Sequence, residues 1–194
     1  MKIDLILCGV GGQGILSIAA ALGAAALRNN LYLKQAETHG MSQRGGDVVS
    51  HMRISDKPIH SDLIPIGAAD MILSVEPLEA LRYLPFLSPN GYVVTNTTPF
   101  KNIANYPSED EVMKELRKLK NVVIIDADTI AADMNAKRSS NIIMLGAAAP
   151  FLEMAYQSFE DGIRDIFGRK GDEVVNMNLA ALKAGYDFSL KNRK

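Results

Sequence analysis

The chain has 194 residues, of which 47% are hydrophobic, so it is long enough to bury one substantial core but short for two. Its 21 basic and 22 acidic residues give a formal net charge of −1 and are mixed along the sequence, which argues against a nucleic-acid-binding surface. The single cysteine, Cys8, excludes an internal disulfide and a four-thiolate iron–sulfur cluster or structural zinc site made by this chain alone. We therefore expect one domain over residues 1–194, with any redox centre held elsewhere.

The N-terminal segment favours a cytoplasmic protein. Lys2 is followed by a short strand-like stretch, residues 3–7, which glycine interrupts too soon for a signal peptide. No run of about 18 apolar residues occurs, so no membrane-spanning helix is predicted. We expect a cytoplasmic chain that does not associate with membranes.

The first part of the chain predicts a βαβ unit followed by a further strand. Residues 3–8 form a short apolar run, and residues 15–27 are rich in alanine and leucine without proline, which predicts a strand and a buried helix. Residues 31–37 predict a second strand. After a polar, glycine-containing loop, alternation over residues 47–55 predicts a third.

The remaining sequence continues the alternation of strands and helices and then becomes helical. Strands are predicted at 69–75, 92–96 and 122–125, helices at 77–86 and from Ser108, and a turn at 89–91. Helical segments are predicted at 128–136, 141–155, 158–167 and 171–188. The pattern predicts a three-layer, Rossmann-like α/β domain with a mostly parallel central sheet and a helix-rich C-terminal third.

A glycine loop lies between the first predicted strand and helix. Gly9, Gly11 and Gly14 match G-x-G-x-x-G in the context where that pattern is informative. The first glycine permits a sharp turn, the second lets an anion approach the backbone, and the third lets helix and strand pack closely. With the helix N-terminus, this favours a phosphate or carboxylate without specifying which. The alternative is that the glycines only make a tight connection.

The residues beside the glycine loop leave its ligand open. The amide of Gln13 is available to a ligand or to a partner chain. A dinucleotide site also needs an acidic residue at the end of the second strand, where Glu37 lies. However, Glu37 lies further from Gly14 than the usual spacing of about 20 residues, and it leads into a polar loop rather than a second crossover helix.

A second motif, which we call the arginine loop, spans residues 37–46. It places a carboxylate, an imidazole, a hydroxyl, an amide and a guanidinium among glycines that allow close backbone approach. Arg44 can clamp a phosphate or carboxylate, or contact another subunit, and Ser42 and Gln43 can hydrogen-bond the same group. His39 can titrate near neutrality or simply donate one hydrogen bond. His51 and His60 are interpreted as structural.

Neither a metal centre nor a nucleophile is visible in the sequence. The three histidines and nearby carboxylates lack a convincing metal-ligand spacing. Cys8 lies in a predicted buried strand, where an apolar setting raises its pKa and keeps the thiol inert. The serines lack a recognisable base. From its residues alone, the chain is interpreted as a binding domain.

Together, the glycine loop and the arginine loop resemble the gamma-type subunits of the pyruvate and 2-oxoacid:ferredoxin oxidoreductase family. The form Met-Ser-Gln-Arg-Gly-Gly at 41–46 is most similar to the beta subunits of the indolepyruvate branch. The resemblance covers essentially the whole chain in length and order, and its specificity lies in the first third. The matching motif positions are Gly9, Gly11, Gly12, Gln13, Gly14, Ser42, Gln43, Arg44, Gly45 and Gly46.

The resemblance implies a subunit of a thiamine-diphosphate enzyme. Such an enzyme decarboxylates an aryl 2-oxoacid, passes electrons through iron–sulfur clusters to ferredoxin and transfers the acyl group to coenzyme A. In that family the thiamine and the clusters lie on a large alpha subunit. The present chain would bind no cofactor alone, pack on that subunit and help form the coenzyme-A-facing cleft.

Two other interpretations remain open at this point. The chain can be a free-standing Rossmann-type protein that binds NAD or a flavin, or a separate module that binds acyl-CoA or a nucleotide. When isolated it can also form a homodimer through the surface that a partner would otherwise cover.

Overall fold

The computed structural model describes residues 1–39 and 45–192, which form a six-stranded sheet with helices on both faces. The strands are β1 (Lys2–Val10), β2 (Tyr32–His39), β3 (Asp47–Ser55), β4 (Ala69–Ser74), β5 (Leu87–Asn96) and β6 (Val122–Ile125). The helices are α1 (Ile15–Arg28), α2 (Pro77–Arg82), α3 (Glu109–Arg117), α4 (Ala127–Asp133), α5 (Ser140–Ala148), α6 (Tyr156–Phe167) and α7 (Asp172–Asn192). Among these described residues, none of the helices is both long and apolar enough to cross a bilayer.

The strand order is β2-β3-β1-β4-β5-β6. β1, β4, β5 and β6 pair in parallel, whereas β3 is antiparallel to both β1 and β2. Five strands thus point the same way, and the predicted mostly parallel α/β sheet is confirmed.

The position of β3 corrects the expected βαβ unit, because β1 and β2 are not neighbours. β2 and β3 are joined by a short connection, and such a connection pairs strands antiparallel. β3 is buried along most of its length, whereas β2 is largely half-buried or exposed. The more apolar strand therefore takes the place beside β1, and β2 becomes the edge of the sheet.

The two faces of β1 bury different helices. Leu5 and Leu7 belong to a cluster that includes residues of α1, α4, α5, α6 and α7. Ile6 and Cys8 point to the opposite face, where they pack with residues of α2 and α3. Since successive side chains of a strand point to opposite faces, β1 separates two layers of helices. The predicted three-layer arrangement follows from this alternation.

Prolines and a glycine account for the differences in element boundaries. The helix predicted over 77–86 ends at Arg82, and the one predicted over 141–155 ends at Ala148. Each is followed by a single 3₁₀ turn containing Pro85 or Pro150, which lack the N–H that an α-helix needs. The predicted turn at 89–91 is wrong. There β5 continues with a register shift, and a Cβ on Gly91 would lie 2.9 Å from the Ala69 carbonyl oxygen.

Helices α5 and α7 lie backbone to backbone. A Cβ on Gly146 would overlap the carbonyl oxygen of Leu182, and one on Gly185 would overlap that of Ile143. The buried hydroxyl of Ser189 donates to the Ala147 carbonyl at 2.6 Å. This contact holds α5 against α7 and so helps to position Asn141, in the first turn of α5, for the site described next.

Candidate functional site

The glycine loop connects the end of β1 to the start of α1, as the sequence predicts. Gly14 is the N-cap of α1 with φ 82°, and a Cβ there would lie 2.5 Å from Asn141 Nδ2 of α5. Gly12 has φ 104°, but nothing lies within 4 Å of its Cβ position. A Cβ on Gly9 would overlap the Val75 side chain. Gly9 and Gly14 therefore allow packing, while Gly12 leaves open space for a ligand.

The amide of Gln13 is used inside the loop. Its Oε1 accepts the Val10 N–H at 2.7 Å, and its Nε2 donates to the Val75 carbonyl at 3.4 Å. Gln13 therefore closes the turn and ties it to the end of β4. The residue pattern did not indicate this role. From the sequence we expected the Gln13 amide to be available to a ligand or a partner chain.

The two motifs meet at this edge of the sheet. The Gly11 N–H donates to the Gly46 carbonyl at 2.8 Å, and the Gly45 N–H donates to the Gly11 carbonyl at 3.3 Å. They meet because β1 and β3 are antiparallel neighbours, with Val10 opposite Asp47. The remaining motif positions Ser42, Gln43 and Arg44 lie outside the described residues, so their ligand contacts remain predictions.

A cavity of about 510 Å³, which we call the glycine-loop cavity, opens between the start of α1 and the strands β2 and β3. Gly12, Ser17 and Glu37 are among its lining residues. α1 begins without a side-chain cap and without an acidic residue in its first turn, so its first N–H groups and its dipole are available to an anion. Glu37 Oε2 is buried without a hydrogen-bond partner among the described residues. The cavity therefore offers donors to an anion and an acceptor to a hydroxyl or amine.

A buried carboxylate, Glu76, anchors the chain that passes over this edge. Glu76 caps α2 by accepting the Glu79 N–H at 2.8 Å, and its other oxygen accepts the Phe100 N–H at 3.2 Å and the Tyr106 hydroxyl at 2.5 Å. Burial, followed by this bond, raises the pKa of Tyr106, so the phenol stays protonated and donates. The anchored connection reaches the arginine loop, because Asn102 donates to the Gly45 carbonyl at 2.8 Å.

The helix predicted from residue 77 puts Glu76 just before its start, where the structure has it as the N-cap, but nothing in the sequence indicated its anchoring contacts. Its partners Phe100 and Tyr106 lie 24 and 30 residues further along, so no local pattern could reveal them.

Side chains of the kinds that bind metal ions are scattered over the part of the chain that the structure describes. No three His, Cys, Asp or Glu side chains there are grouped as metal ligands would be. His51 instead has a structural contact, because its Nδ1 accepts the Ile64 N–H at 3.1 Å. Burial lowers the pKa of His51, which favours the neutral ring that this bond requires.

Cys8 is fully buried in β1, as predicted, and burial raises the pKa of its thiol. Its Sγ lies 3.7 Å from the Glu79 carbonyl oxygen. Because the thiolate is the reactive form, we expect no modification when the folded protein is treated with iodoacetamide near neutral pH. The same treatment in denaturing urea should label one thiol per chain, as mass spectrometry can count. Rapid labelling of the folded protein would contradict the burial of Cys8.

The fold and the two joined motifs agree with comparisons to known proteins. Residues 4–188 match the family described as pyruvate ferredoxin/flavodoxin oxidoreductase. Indolepyruvate oxidoreductase subunit IorB of Archaeoglobus fulgidus is 37% identical, covering 100% of this chain and 98% of that relative. The subunit of the same name from Pyrococcus horikoshii is 38% identical over 94% of this chain and 93% of that relative. The pyruvate/ketoisovalerate oxidoreductases common subunit gamma of Pyrococcus furiosus is 30% identical over 92% of each.

The chain therefore belongs to the pyruvate ferredoxin/flavodoxin oxidoreductase family. Its relatives named indolepyruvate oxidoreductase subunit IorB reach 38% identity, so the resemblance expected from the two motifs is confirmed.

Solved structures show the same fold. Pyruvate oxidoreductase subunit PORC from Thermotoga maritima superposes with a TM-score of 0.74 at 22% identity, covering 96% of each chain. The 2-oxoglutarate:ferredoxin oxidoreductase from Magnetococcus marinus superposes with a TM-score of 0.77 at 21% identity. The superposition covers 98% of this chain but only 31% of that longer chain.

Proposed function

We propose that this chain is the small, cluster-free subunit of a thiamine-diphosphate-dependent 2-oxoacid:ferredoxin oxidoreductase that acts on indolepyruvate or a related arylpyruvate. The observation that carries the proposal is the junction of the glycine loop with the arginine loop in front of an uncapped helix N-terminus. The choice of an aryl substrate is supported by relatives named for indolepyruvate, which match nearly the whole chain at 37 and 38% identity.

The residues of this chain do not suit the redox cofactors of such an enzyme. An iron–sulfur cluster takes cysteine thiolates, and the single cysteine here is buried in a strand. By the family resemblance described above, thiamine diphosphate also belongs to the large subunit. We therefore assign thiamine diphosphate and the clusters to a larger partner subunit, through which ferredoxin would be reduced.

We assign to this chain a part in binding coenzyme A. The N–H groups at the start of α1 would hold a phosphate group of the co-substrate, and the open position at Gly12 lets that group approach. Glu37 would accept a hydrogen bond from a hydroxyl or amine of the same molecule. The role of the chain is thus to pack on the large subunit, position the co-substrate and help form the coenzyme-A-facing cleft, and the isolated chain should be inactive.

The proposal is tested by reconstitution. The chain would be co-expressed with a large subunit that carries thiamine and cluster motifs, and arylpyruvate-dependent ferredoxin reduction would be measured with and without it. We expect a stable complex, and activity that requires both chains. The proposal fails if no complex forms and the large subunit alone is equally active.

One observation favours a second candidate, a free-standing protein that binds NAD or a flavin. Glu37 lines the glycine-loop cavity near the position where a dinucleotide site needs an acidic residue for the ribose. Calorimetry of the isolated chain with NAD, FAD and coenzyme A distinguishes the two candidates. Micromolar binding of NAD or FAD without a partner would support the second candidate.

We expect Arg44→Ala to leave the fold intact and to weaken coenzyme A use or subunit assembly. Loss of a charge-assisted hydrogen bond costs about 1.5–3 kcal/mol, or roughly tenfold to a hundredfold. The KM for coenzyme A and the dissociation constant of the complex are the measurements, and Arg117→Ala, an exposed change on α3, is the matched control. Unchanged values for both in Arg44→Ala would remove Arg44 from the site.

A further inference from the structure

The connection between β5 and α3 passes over the edge of the sheet where the two motifs meet. It spans residues 97–107, and we call it the tethered connection. Residues 100–105 within it are all exposed, so they contribute little to the core. Exposed segments outside helices and strands are ordinarily the mobile parts of a protein. This segment is instead held by hydrogen bonds at three points.

Both ends of the exposed stretch are held by one carboxylate oxygen. Glu76 Oε1 accepts the Phe100 N–H at 3.2 Å and the Tyr106 hydroxyl at 2.5 Å. Glu76 is only 1% exposed, and its other oxygen is fixed at the start of α2 by the Glu79 N–H. The tethered connection is therefore attached to a rigid part of the core.

From this anchor, a series of hydrogen bonds leads to the glycine loop. The Asn102 N–H donates to the Phe100 carbonyl at 2.8 Å, and the Asn102 side chain donates to the Gly45 carbonyl, also at 2.8 Å. The Gly45 N–H in turn donates to the carbonyl of Gly11, which lines the glycine-loop cavity. Asn102 thus links the buried carboxylate to the cavity wall.

Hydrogen bonds, and not packing, hold Gly45 in place. Within the described residues, nothing lies within 4 Å of its Cβ position. Its carbonyl accepts from Asn102 and its N–H donates to Gly11. Removing one of these two bonds should therefore leave Gly45 more mobile.

The bond from Asn102 is not distinguished by its contribution to stability. An exposed hydrogen bond between neutral groups adds only modestly to stability. A bond of the same kind lies at the other end of the sheet, where Asn121 Nδ2 donates to the Asn90 carbonyl at 3.1 Å. The two bonds differ in position, because the bond from Asn102 is joined to the cavity wall through Gly45.

We propose that Asn102 is a positioning residue for coenzyme A. By holding the Gly45 carbonyl it fixes the Gly11 segment of the wall, so that the open position at Gly12 and the start of α1 face the same phosphate. Donors fixed in advance bind more tightly than mobile ones, because less ordering is needed on binding. The inference rests on the proposed function, since coenzyme A is the ligand that it concerns.

The first test is kinetic and uses the complex with the large subunit. We expect Asn102→Ala to raise the KM for coenzyme A about three- to tenfold and to leave kcat at saturating coenzyme A unchanged, because only binding is weakened. Asn121→Ala is the matched control, since it removes the same kind of bond far from the cavity. Its Tm should change by as little as that of Asn102→Ala, and its KM should equal that of the parent.

Two further variants separate positioning from a general loss of structure. Asn102→Gln keeps an amide donor and should restore part of the affinity. Tyr106→Phe removes one of the two bonds that hold the connection to Glu76. Adding Asn102→Ala to it should raise the KM by a smaller factor than in the parent, because both bonds act in one series.

Hydrogen exchange of the isolated chain tests the tether without coenzyme A. By NMR, the amides of Gly11 and Gly45 should exchange faster in Asn102→Ala than in the parent or in Asn121→Ala. Unchanged exchange would overturn the proposal even if the complex is active. Faster exchange with the KM of the parent would also overturn it, because the bond would then be only structural.

Failure of the proposed function gives a different result, in which the parent chain itself forms no active complex. The affinity of the isolated chain for coenzyme A, measured by calorimetry, would then replace the KM. A loss of affinity in Asn102→Ala but not in Asn121→Ala would support the positioning role. Equal affinities, or no binding of coenzyme A, would overturn it.

Discussion

Replacing Gly185 by alanine should lower the free energy of unfolding by about 3 kcal/mol or more, since the added methyl group overpacks a helix contact. A Cβ there would overlap the Ile143 carbonyl oxygen and would lie 2.8 Å from the Ala147 nitrogen, so two backbones must separate. Helix propensity alone predicts the opposite sign, because glycine to alanine inside a helix stabilises by about 0.5–1 kcal/mol. The sign of the change therefore reports the contact between α5 and α7.

Urea denaturation measures this change, and Gly168→Ala is the matched control. Gly168 has helical backbone angles, φ −53° and ψ −38°, and nothing lies within 4 Å of its Cβ position. The control should therefore stabilise by about 0.4–1 kcal/mol through the unfolded state. If Gly185→Ala is as stable as the parent, α7 does not pack on α5 as closely as described.

The second large effect is expected from Gly12→Asp. Nothing lies near the Cβ position of Gly12, so the carboxylate would project into the space proposed for a phosphate of coenzyme A. A like charge about 6 Å away at an effective dielectric constant of about 20 costs roughly 3 kcal/mol, or about a hundredfold in affinity. We expect the KM for coenzyme A in the reconstituted complex to rise by about that factor.

Gly12→Asn is the control for that experiment. Asparagine has nearly the same shape as aspartate, imposes similar strain at φ 104° and carries no charge. Most of the rise in KM expected for Gly12→Asp should therefore be absent in Gly12→Asn. Coenzyme A is the ligand for this measurement, because Gly12 lines the cavity proposed to hold one of its phosphates. Equal KM values for the two variants would show that no phosphate of coenzyme A lies near Gly12.

Helices and strands were predictable from the sequence where the residues that cause them lie within the same segment. β1 and α1 follow from an apolar run, a glycine turn and an alanine-rich stretch, and the structure places them at Lys2–Val10 and Ile15–Arg28. α3 has the capping box that its acidic start suggests, with Ser108 accepting the Glu111 N–H at 3.3 Å. Strand order was not predictable in this way, because the insertion of β3 beside β1 depends on a pairing between distant segments.

The residues of the candidate site were likewise predictable from the sequence only where the reason for the residue is local. The glycine pattern is informative because Gly9 and Gly14 occupy positions where a Cβ cannot fit without displacement. Gln13 and Glu76 carry no such signal, since an amide and a carboxylate are acceptable at many exposed positions. Asn102 likewise looks like an ordinary surface residue until the tethered connection brings it to the arginine loop.

The antiparallel pairing of β1 with β3 also bears on how the candidate site forms during folding. The β2–β3 hairpin is a local structure, but the glycine loop gains its bonds to Gly45 and Gly46 only when β3 aligns with β1. That alignment joins Lys2 to Ser55, and closing so long a segment is entropically costly and slow. Competence to bind should therefore appear only once β3 has paired with β1, and a ligand held there would stabilise the folded chain against unfolding.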